Sequence, residues 1–138
     1  MNVVNYEIAK KLKDKGFREE CLLHYVGEDL YYNIESPIAN NQFWFSHNKY
    51  DNLWHRDNID APTISQVLKW LREEKLILIG LSPMQEYDVE ETIEWCATVY
   101  KAYKQGGLSL KEELYYESYE QAALAGIEYV LDNLDNLI

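Results

Sequence analysis

DAPTISQVLKWLREEKLILIGLS, residues 60–82, is the stretch whose reading decides the fold: an amphipathic helix that runs straight into a buried strand. Thr63 is followed three residues later by Gln66, the reciprocal pair of a capping box, and Pro62 stands just outside it. Ile64, Val67, Leu68 and Leu71 recur at helical spacing, while Ser65, Gln66, Lys69, Arg72 and Glu73 fall on the other side. Lys75 closes the helix, where a cation suits the dipole. Leu76 to Leu81 then form an apolar run of strand length.

Downstream, Pro83 interrupts the run, and Met84 to Gly107 reads two ways. Val89, Ile93, Cys96, Tyr100 and Tyr103 repeat at helical spacing before the Gly106-Gly107 stop. Trp95, Ala97 and Val99 suit a strand in a stretch rich in β-formers. Period alone leaves helix and strand open over 93–103. A short strand around Leu114-Tyr115-Tyr116 follows, and then a second clear helix. Ser118 and Gln121 form its capping box, and Ala123, Ile127, Val130, Leu131 and Leu134 its apolar face. Gly126 costs about 1 kcal/mol of helix propensity relative to alanine, which points to close packing on a neighbour.

Upstream, Asn5 caps a first helix with the stripe Ile8, Ala9 and Leu12. Gly16 stands at its end, with Phe17 expected to fold back on the stripe. In CLLHYVGEDLYYNI, residues 21–34, two apolar pieces flank a turn at Gly27-Glu28-Asp29, as a hairpin or with a helical first piece. His24 reads as a core or half-buried histidine. Residues 36–61, SPIANNQFWFSHNKYDNLWHRDNIDA, combine breakers of regular structure with Phe43, Trp44, Phe45, Tyr50 and Trp54. Rings of that number either wrap across the domain or present themselves to a partner.

With 138 residues, 47% hydrophobic and 27% charged, the chain is expected to fold as one domain, 1–138. Cys21 and Cys96 match no zinc spacing and read as two thiols. No apolar run approaches the ~18 residues of a membrane span, so a soluble, cytoplasmic protein is expected. The net charge is −11, and residues 86–138 hold 12 carboxylates against three lysines. Such a surface repels phosphate backbones and suits a basic protein partner.

PTISQVLKWLREEK with its following strand, YYESYEQAALAGIEYVLDNL, and IAKKLKDKGF followed closely by a cysteine together resemble a family of short, uncharacterised proteins of gut Bacteroidetes and their phages or prophages. The matched blocks span about half of the sequence. The resemblance implies a phage or mobile-element origin, carries over no catalytic residue, and tilts 93–103 toward strand. The expected fold is therefore α+β. Residues 61–138 form a small antiparallel sheet of about three strands with helices on one face, in the order helix-strand-strand-(strand)-helix. An N-terminal helix and the irregular aromatic segment, 1–60, precede it. The double-stranded RNA-binding domain shares this order but needs lysines at the start of its last helix. This chain has Glu117, Ser118, Tyr119 and Glu120 there, and no nucleic-acid partner is expected.

His47, Asp51 and His55 form the best candidate for chemistry, a divalent-metal set if one helix carried all three. Asn48, Asn52 and Asn58 oppose that helix. Cys21 near His24 has the spacing of a thiol and a base on one short element, which is commonplace. The carboxylates between Glu86 and Glu94 lack the pattern of a calcium loop. No phosphate-binding glycine loop or nucleotide fingerprint is present, and no cofactor is expected. Two readings follow. One is a non-enzymatic accessory protein that binds a protein partner through Phe43, Trp44, Phe45, Tyr50 and Trp54 or through its acidic C-terminal half. The alternative is a small metal-dependent hydrolase built on His47, Asp51 and His55.

Overall fold

The structure is a computed structural model that describes residues 2–32, 58–85 and 93–137. It is α+β, with four helices and two three-stranded antiparallel sheets among the described residues. The chain divides into two compact units, residues 1–63 and 64–138.

In the first unit, helix α1 (Tyr6–Asp14) starts on Asn5, whose side chain accepts a 2.9 Å hydrogen bond from the Ile8 amide. It ends in a Schellman turn. Phe17 N–H reaches the Leu12 carbonyl and Gly16 N–H that of Lys13, with Gly16 at φ +94°. That geometry buries Phe17 with Ile8, Ala9 and Leu12, as the spacing predicts. The hairpin is also present. Strands β1 (Leu23–Val26) and β2 (Asp29–Tyr32) join through the two-residue turn Gly27-Glu28, with Gly27 at φ +60°. Strand β3 (Asn58–Asp60) pairs with the other side of β1, giving the order β2-β1-β3. The Tyr25 hydroxyl donates to the Val4 carbonyl at 2.7 Å, and the Tyr6 ring meets the Tyr25 ring edge-on at 5.7 Å. These contacts tie the N-terminal segment to β1.

The second unit runs α2 (Ile64–Glu74), β4 (Ile77–Gln85), β5 (Ile93–Ala102), β6 (Leu108–Tyr116), α3 (Tyr119–Asp132) and a short α4 (Leu134–Leu137). The sheet order is β4-β5-β6. Helix α3 packs across all three strands, and α2 packs on β4 and on α3, so both helices share one face. Ser118 caps α3, its hydroxyl accepting from the Gln121 amide at 3.1 Å. Ala122, Ala123, Gly126, Ile127, Val130 and Leu131 lie buried along that helix. Each large apolar side chain so buried contributes about 1.5–3 kcal/mol.

Three features differ from the sequence expectation. Trp70 joins Ile64, Val67 and Leu71 in the buried face of α2, widening the stripe. Strand β4 does not stop at Pro83 but continues to Gln85, with Pro83 opposite Trp95. An edge strand tolerates proline because its outward side forms no ladder bond. Strand β6 begins at Leu108, well before Leu114. The left-handed position after α2 is held by Leu76 at φ +57° instead of a glycine, at a cost of roughly 1–2 kcal/mol. The junction is held from β5: Ala102 N–H donates to the Leu76 carbonyl at 2.8 Å and Lys101 Nζ to that of Lys75 at 3.0 Å.

Candidate functional site

Phe43, Trp44, Phe45, Tyr50, Trp54, His47, Asp51 and His55 all lie outside the described residues. Among the described residues no group of three His, Cys, Asp or Glu side chains could hold a metal ion. No helix among them is long and apolar enough to cross a membrane. Two constellations remain.

The first crosses the small sheet of residues 1–63. Antiparallel pairing sets Tyr31, His24 and Asp60 in one row across β2, β1 and β3. The His24 ring stacks on Tyr31 at 5.9 Å with an interplanar angle of 25°. Cys21 lies in the field of the Asp60 carboxylate; burial first, then Asp60 and Glu19, push its thiol well above the ordinary range. A nucleophilic cysteine needs the opposite shift and access to solvent. Cys21 is 1% exposed and His24 4%. In this row His24 is buried, Asp60 is half-buried and Tyr31 is exposed, its ring covering one face of the imidazole. The thiol-and-base arrangement suggested by Cys21 and His24 lacks the properties of a reactive pair.

The second is the face of the β4-β5-β6 sheet away from the helices. Ala97 lies under Gly126, with Val99 buried on the same side, so the alternate residues Cys96, Thr98, Tyr100 and Ala102 turn outward. Pairing extends the rows: Leu78 with Tyr100 and Leu110, Ala102 with Leu108, Gly80 with Thr98 and Glu113, and Ser82 with Cys96 and Tyr115. A register shift beside Tyr100 leaves Lys111 as the extra residue of β6, so Leu108 and Leu110 share this face with Glu113 and Tyr115. The Tyr100 ring lies over Gly80, 3.9 Å from where a β-carbon would stand. Polar groups gather toward the other end. The Tyr115 hydroxyl donates to Glu113 Oε2 at 3.0 Å, and Cys96 Sγ lies 3.4 Å from Thr98 Oγ1.

A solvated antiparallel sheet face ordinarily alternates to polar side chains. This one exposes Leu108 (59%), Leu110 (54%), Tyr115 (50%) and Met84 (44%). No described element of residues 64–138 packs on it. Sequence reasoning missed this surface. The signal available was the pair Leu108 and Leu110 immediately after the Gly106-Gly107 turn. Compared with protein-family models, with curated proteins and with solved structures, the chain matches none of them.

Proposed function

We propose that this is a non-enzymatic binding protein that meets a protein partner on the open face of its β4-β5-β6 sheet. The observation that carries the reading is the exposure of Leu108, Leu110, Tyr115 and Met84 on one face of regular structure. The 12 carboxylates of residues 86–138 suit a partner whose rim is basic. The resemblance to small Bacteroidetes and phage proteins supports an accessory role in a phage or mobile element. Burial of Cys21 and His24 favours binding over catalysis in residues 1–63.

The test places a photo-cross-linking phenylalanine analogue at Leu110 and, as a control, at exposed Gln121 on the helix layer. Irradiation in extract should give a protein adduct from position 110 and none from position 121. Equal labelling at the two positions, or none at either, refutes the reading.

A further inference from the structure

We draw no further inference here: the strongest candidate, the open apolar face of the β4-β5-β6 sheet around Tyr100, Leu108 and Leu110, belongs to the surface already described, and nothing in the structure shows what covers it.

Discussion

Gly126 of α3 rests on Ile79 of β4: a β-carbon at the glycine would stand 3.1 Å from Ile79 Cγ2 and 3.3 Å from Ala97 Cβ. This approach sets the distance between the helix and the sheet. Gly126→Ala gains about 1 kcal/mol of helix propensity but must displace two packed side chains, at a cost of roughly 1–3 kcal/mol. The variant should unfold at lower urea concentration, with a net loss of about 1 kcal/mol. Combining it with Ile79→Ala should cost less than the two single losses added. Strict additivity would show that the contact does not limit packing.

Cys21 predicts a loss of stability in alkali. Its folded pKa is raised, by burial and then by Asp60 and Glu19. The unfolded chain therefore releases this proton first, from about pH 8.5 upward. Folded stability is fully present below that pH and then falls, by up to about 1.4 kcal/mol per pH unit, until the folded thiol ionises. Urea midpoints between pH 8 and 9.5 should drop in the parent and stay flatter in Cys21→Ala. Tyr25, also raised by burial, adds to the trend only above the tyrosine range near pH ~10.

Lys101 closes the far end of α2 by donating to the Lys75 carbonyl. Lys101→Met keeps the aliphatic stem and removes the donor. It should cost about 1 kcal/mol, as should Ser118→Ala at the start of α3. Thermal unfolding measures both.

Tyr115 is exposed, yet its hydroxyl is bonded to Glu113, and that bond with the adjacent negative charge raises its pKa. Glu113→Gln should move one tyrosine transition to lower pH in an ultraviolet titration. Tyr115→Phe should delete that same transition. An unchanged titration in Glu113→Gln would disprove the pairing.

The end signals were legible in sequence because their chemistry is local. Asn5 reaches Ile8, Ser118 reaches Gln121, and Gly16 lets Phe17 return to Leu12, all within a few residues. The strand at 93–102 was not separable from a helix by period. Cys96, Ala97 and Val99 are all buried, although Cys96 lies on the face opposite the other two, and this blurs the alternation of a central strand. The open face was hidden for a related reason. Under simple alternation Leu108 and Leu110 would share the inner face with Leu114, and only the register shift beside Tyr100 turns them outward. The ring-rich segment and the histidines at 47 and 55 lie outside the described residues, so no geometry bears on them.

Pro83 and Lys111 have a further consequence. Strands as long as β4 and β6, carrying Leu, Tyr and Met outward, are the kind of sequence that seeds cross-β fibres when a rim is left clean. A missing amide donor on one border and a kinked, cationic residue on the other stop growth in both lateral directions. An apolar sheet face can thus stay exposed without its borders templating the addition of further strands.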